Sequence, residues 1–437
     1  MSRSFRKAIA RFLPALPVVA LGIWGAGGCG GEAAPIDRIV FESAGALDGS
    51  DAANVNETGN IWIMNADGTE RMPLTFLTAD GADSTGAVWS PDGKKILFSS
   101  NRALDGSDAA NVNETSNVWI MSADGGDAKP LTQLTAADTF TFASNWSPDG
   151  KQVLFTSFRA LDGSDAAIAA GNIWIMDADG SDQRPLTELT ADKVAGSVPT
   201  WSPDGAKIVF SSTSALDGSD ALNGEDSSPF GVGNLWVVNA DGSDRHPLTG
   251  LTVGGFSTHF FHSWSPDGSK IVFHSTRNLD GSDSENPGFS ENIWVMNADG
   301  SDPVPLTNYT ASGSINGPRF SPDGTKIAFN STYDLSGSDA SSPNSDYNLW
   351  VMNADGSDRR PLSRLTVEGG LGSFRDWSPD STRILFVSLG LLDGSDAVFP
   401  ESLYNLWVAD VADGSLVPLT EFTDVKADNF SGDWLPF

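Results

Sequence analysis

The chain has 437 residues and carries 57 acidic against 26 basic side chains, a formal net charge of −31. So acidic a balance argues against nucleic acid as a partner, because a polyanion is bound by neutralising its phosphates with Lys and Arg. A single cysteine rules out an internal disulfide, and the length leaves domain number open until the internal periodicity is read.

Residues 1–28 read as an export signal. Arg3, Arg6, Lys7 and Arg11 make a basic start, Phe12 to Ile23 is apolar but too short to span a bilayer, and small residues Ala26, Gly27 and Gly28 precede Cys29. This arrangement resembles a bacterial lipoprotein box, which implies cleavage before Cys29 and lipidation of its thiol, although Ala26 stands where that family usually has Leu. The alternative is a plain cleaved signal with an incidental cysteine. Gly30 rather than Asp after Cys29 favours an outer-membrane address by the same resemblance. Residues 29–37 read as a tether, so the expected location is the periplasm, the outer membrane or the cell surface, with a lipid as the sole membrane attachment.

From residue 38 three strings recur in fixed order through seven rounds. The first is a strand-length run of the Ile39-Val40-Phe41 kind, returning at Phe98, Phe155, Phe210, Phe273, Phe329 and Phe386. The second centres on Trp62, Trp119, Trp174, Trp236, Trp294, Trp350 and Trp407, each followed by a Gly turn and a Pro-Leu-Thr-like segment. The third ends in Trp89, Trp146, Trp201, Trp264, Phe320, Trp377 and Trp434, nearly always before a Pro-Asp-Gly turn. These strings supply strands B, C with D, and A of a four-stranded antiparallel unit. Such a unit cannot bury both faces alone, so residues 38–437 are expected to form an all-β, seven-bladed β-propeller. The rounds begin with a B strand and end with an A strand, so the C-terminal strand is expected to join the N-terminal blade and close the ring. The repeats resemble TolB-type WD-like propeller repeats. TolB itself carries an α/β domain before a six-bladed propeller, whereas here the tether leads directly into seven repeats, so a role in the Tol–Pal system does not follow.

Repeat position sorts structural from functional residues. Thirteen of the 14 tryptophans occupy the strand A or strand C position, where blade packing accounts for them without sugar stacking. More than half of the 57 acids lie in Leu-Asp-Gly-Ser-Asp, Pro-Asp-Gly and Ala-Asp-Gly turns. A–B and C–D turns share one face of a propeller, and B–C and D–A loops share the other, so the B–C loops should ring that second face with negative potential. Residues 46–58 and 103–115 are identical, and their Asp48, Asp51, Asp105 and Asp108, followed by Asn and Glu, are candidate Ca²⁺ ligands, the one cofactor the sequence suggests. The competing reading is a plain turn in which Asp binds nearby backbone N–H groups.

Departures from the repeat mark a candidate binding site at the channel mouth: Phe230, Phe256, His259, Phe260, His262, Phe289, Arg319, Arg375, Asp376 and Asp433, with Asn145 beside them. No nucleophile elbow, cysteine nucleophile or His-Glu-x-x-His helix occurs. The expected function is therefore a non-enzymatic exported scaffold binding an envelope protein or a small ligand. One alternative is a metal-dependent lyase or hydrolase using His259, His262 and Arg375, with His274 near by; another is a calcium-dependent adhesion or carbohydrate-binding module.

Overall fold

The computed structural model describes residues 37–436 apart from 51, 192–195, 224–231, 253–260, 341–346, 367–371, 390–403 and 423–428. Its strands form seven four-stranded antiparallel sheets in the order A, B, C, D, the arrangement read from the sequence. Blade 2, for example, has A at Ser84–Trp89, B at Lys95–Ser100, C at Asn117–Ser122 and D at Lys129–Pro130.

Blade 1 is composite. Its strands B, C and D are Arg38–Ser43, Asn60–Asn65 and Met72–Pro73, while its strand A is the C-terminal Asn429–Trp434. The register pairs Ile39 with Trp434 and Val40 with Asp433, so the ring is closed by hydrogen bonds between the two ends of the propeller.

The recurrent aromatics set the interior of each blade. Every strand B phenylalanine lies opposite its strand C tryptophan, as in Phe41 and Trp62 or Phe98 and Trp119. In five blades these rings stand 6.1–6.4 Å apart, inclined to each other by 19–31°. All thirteen repeat tryptophans are buried, which assigns them to packing. Strand D ends on a proline opposite the tryptophan, tolerated because D is the outer edge and one flank needs no donor.

The polar letters of the repeat are equally structural. The Asn that opens strand C is buried, and its side chain folds the D–A segment onto the sheet. Asn60 accepts from Thr75 Oγ1 at 2.9 Å and Leu77 N at 2.7 Å, and Thr75 Oγ1 accepts from Ile61 N at 2.9 Å. The same network recurs at Asn117, Asn172, Asn234, Asn292, Asn348 and Asn405, which explains Pro-Leu-Thr as a motif. The C–D hairpin glycine has two reasons to be glycine. At Gly356 φ is +85° and a Cβ would meet Leu306 O of the preceding blade at 2.8 Å.

Candidate binding site at the channel mouth

The inner strands of blades 5, 6 and 7 are His262–Trp264, Ile315–Phe320 and Gly372–Trp377. Directly before their aromatic residues, and before Trp434 of blade 1, lie Ser263, Arg319, Asp376 and Asp433. The innermost strand has no sheet partner on its channel side, so its N–H groups need acceptors from a neighbouring blade. The two aspartates supply them in series. Asp376 accepts from Trp434 N at 2.9 Å, and Asp433 accepts from Trp89 N at 2.8 Å. The closing strand is thereby fastened to the blade on either side.

Arg319, Asp376 and Asp433 converge. Arg319 Nη1 lies 3.5 Å from Asp376 Oδ1, its guanidinium stacks on Phe374 at 5.3 Å, and the two carboxyls hydrogen-bond each other. Burial pushes both carboxyls above the usual carboxylate range, and at Asp433 the neighbouring Asp376 charge adds to it; Arg319 opposes both shifts. Asn145, the equivalent residue of blade 3, is also buried and donates to Pro199 O at 2.8 Å. Arg375 points elsewhere: its Nη1 donates to Ser373 Oγ at 3.1 Å, and burial lowers its guanidinium to about 10 although the Glu42 carboxylate of blade 1 favours the charge.

His262 and His274 meet in the wall between blades 4 and 5. Both are buried, and His262 Nε2 is 3.2 Å from Val209 O of blade 4. Burial, reinforced by His262, lowers His274 to about 4, and its ring packs on Phe261 at 5.9 Å. His259, Phe256, Phe260, Phe230, Asp51 and Cys29 lie outside the described residues. Among the described residues no three His, Cys, Asp or Glu side chains are grouped to hold a metal. Phe289 stands apart from the channel, in the B–C loop of blade 5 at φ +56°, and is 57% exposed.

The Leu-Asp-Gly-Ser-Asp loops have a division of labour that sequence spacing did not reveal. The first aspartate caps its own turn: Asp48 accepts from Ser50 N and Asp105 from Ser107 N, each at 2.9 Å. The second crosses to the preceding blade. Asp108 accepts from Thr78 N at 2.7 Å, Thr78 Oγ1 at 2.5 Å and Ala79 N at 3.1 Å. Asp165, Asp220, Asp283 and Asp339 clasp Thr135, Thr190, Thr252 and Thr310 in the same way. A calcium ion at Asp108 would compete with these donors.

Sequence reasoning also missed Phe76. It is 64% exposed in the D–A segment of blade 1, where the other repeats carry Gln133, Glu188, Gly250, Asn308, Arg364 and Glu421. That contrast was the available signal. Missed too was Glu291 at the edge of blade 5, which accepts from Ile315 N of blade 6 at 2.6 Å and is pushed up to about 7 by burial.

No family model matches the sequence. The uncharacterized protein Atu1656 of Agrobacterium fabrum is 25% identical over 273 residues, covering 55% of this chain and 82% of that protein. The uncharacterized peptidase YuxL of Bacillus subtilis is 26% identical over 226 residues, but the match spans only 31% of YuxL. Among solved structures, a puromycin-hydrolyzing peptidase of Mycobacterium tuberculosis aligns with TM-score 0.58 and 14% identity over 94% of this chain and 54% of that one. An oligogalacturonate lyase in complex with manganese aligns with TM-score 0.52 and 15% identity, covering 86% and 91%. TolB from Acinetobacter baumannii has TM-score 0.47 and 14% identity, covering 87% and 79%. What the chain shares with the peptidase and the lyase is the fold alone, which in this chain is a seven-bladed β-propeller.

Proposed function

We propose that the protein is an exported, non-enzymatic propeller that binds an envelope protein or small ligand on its B–C/D–A face. The observation that carries this reading is where large apolar side chains remain exposed. Among the described residues there are eight. Four of them, Val55, Phe76, Val112 and Phe289, lie on that face; Met72, Val304, Leu416 and Val417 lie on strands D at the outer rim. An apolar group held on a rigid loop amid charge suits a partner better than it suits water. Asp376 and Asp433, by contrast, are spent on fastening one blade to the next.

A second reading, a metal-dependent lyase or hydrolase, draws on the adjacency of His262 and His274 and on the lyase and peptidase propellers of like fold. One experiment separates the two. Full-length protein is assayed for metal content and for turnover of oligogalacturonate and peptide substrates, and is cross-linked in envelope fractions beside the Phe76→Ser/Phe289→Ser variant. The scaffold reading expects no turnover and cross-links that the variant loses. Turnover abolished by His262→Ala would refute it.

A further inference from the structure

One residue before the inner-strand aromatic, blades 2 to 5 carry the neutral side chains Val88, Asn145, Thr200 and Ser263. Blade 7 has Asp376 in that place and blade 1 has Asp433. Only there does the repeat set one carboxyl beside another. It is also where the C-terminal strand enters blade 1 and meets the beginning of the propeller through hydrogen bonds alone. Because four blades fill the place with neutral groups, the fold does not demand the pair.

The bonds of the pair fix its proton count. Asp376 accepts from Trp434 N and from Trp377 N, each at 2.9 Å, and Asp433 accepts from Trp89 N at 2.8 Å. The two carboxyls also hydrogen-bond each other. Two ionised carboxylates cannot do this, since each can only accept, so at least one of them holds a proton. With one proton the site carries a single negative charge, set against Arg319 at 3.5 Å from Asp376. Asp376 and Asp433 are 7% and 3% exposed. A second ionisation would remove the donor and leave two like charges in contact where water does not screen them. That repulsion outweighs the gain from any one of the N–H bonds.

Arg319 is the cation that acts on both carboxyls. Other charges on the strands packed around the pair are engaged elsewhere. Arg375 donates to Ser373 and is favoured by Glu42 of blade 1, and Arg383 pairs with Asp37. Asp410 accepts from Ala412 N at 2.8 Å in its own turn, and Lys326 donates to Asn353 at 3.1 Å. Arg38 stands opposite Asn65, beyond the last pair of the closing ladder. Strand A of blade 2 and Asn348–Asn353, strand C of blade 6, carry no titratable side chain.

We infer that Asp376 and Asp433 form a pH latch on the closing strand: a shared proton keeps that strand clamped between blades 7 and 2, and its loss loosens the strand there. The sign follows from burial, which raises both folded carboxyls above their ordinary 3.8, so the native state keeps a proton that the unfolded chain gives up. The contribution of the latch is full below 3.8 and is lost as pH rises through the folded range of the pair.

The test is amide exchange of the full-length protein at about pH 5 and about pH 9, with protection corrected for the intrinsic rate at each pH. Between the two, peptides holding Trp434 and Trp89 are expected to lose about tenfold or more in protection, while Thr141–Trp146 of blade 3, with Asn145 in the equivalent place, holds. Asp433→Asn is the locked form, because its amide oxygen still accepts from Trp89 N and its amide N–H donates to Asp376 where the proton was. It should keep the closing strand protected at both pH values. Asp376→Asn locks the pair from the other side and replaces the first variant if that one folds poorly. Glu291, between blades 5 and 6, weakens the fold in the same direction, so the comparison is repeated in Glu291→Gln, where the same local loss is expected. Equal wild-type protection of Trp434 and Trp89 at both pH values, an equal loss in blade 3, or a pH dependence that survives the Asn substitution overturns the inference.

Discussion

Replacing Trp434 by alanine tests whether the two ends of the propeller form a structural seam. Trp434 is 3% exposed in the closing strand and packs with Ile39, Phe41, Leu385, Val387, Leu406 and Val408 of blades 1 and 7. Its indole N–H donates to Asp37, which Arg383 pairs at 2.5 Å while stacking on the same ring at 4.8 Å. Removing a buried tryptophan costs about 3–5 kcal/mol. With an unfolding entropy of about 2.1 cal/mol/K per residue over roughly 400 residues, the melting temperature should fall by about 4–6 °C. Trp294→Ala is the control, an equally buried tryptophan on strand C of blade 5, remote from the seam. Both variants should melt early by circular dichroism. Only Trp434→Ala should speed amide exchange in strand B of blade 1 and in Trp89, whose N–H depends on Asp433 of the same strand. An unchanged melting temperature, or faster exchange spread evenly over all blades, would refute the reasoning.

Three further outcomes are expected. Glu291 has a folded pKa of about 7 against an ordinary 4.5, so its share of stability is full below pH 4.5 and is lost as pH rises through 7, by up to about 3 kcal/mol; Glu291→Gln should flatten that slope in urea titrations between pH 5 and 8. Asp108→Ala, which breaks an inter-blade clasp, should cost about 1 kcal/mol while Asp105→Ala changes little, with or without millimolar calcium; a calcium-dependent rise in melting temperature that both substitutions remove would make these loops ion sites instead. Gly356→Ala should destabilise more than Gly337→Ala, because both have positive φ, costing about 1–2 kcal/mol, but only the first Cβ meets a backbone oxygen; equal losses by chemical denaturation would disprove the close-approach account.

The sequence by itself determined the ring. Strand-length apolar runs, turn residues at fixed offsets and a phase shift between first and last repeat are local or periodic signals, and seven copies of each left blade number and closure little freedom. It also separated packing tryptophans from candidate contacts, because a residue present in every blade serves what every blade needs. Only the tertiary structure decided how the irregular residues are used. Asp376 and Asp433 looked like channel-mouth contacts in the sequence, yet the inner strands set them against N–H groups of adjoining blades 58 and 344 residues away in the chain. Asp105 and Asp108 share one turn motif, but one bonds within it and the other across to blade 1, a difference that exists only once two blades stand side by side. Val55, Phe76 and Val112 carry no periodic signal in the chain, and only the fold leaves them exposed on the B–C/D–A face. Periodicity encodes what a blade does for itself; what it does for its neighbour depends on distances between segments far apart in the chain, which no local pattern carries.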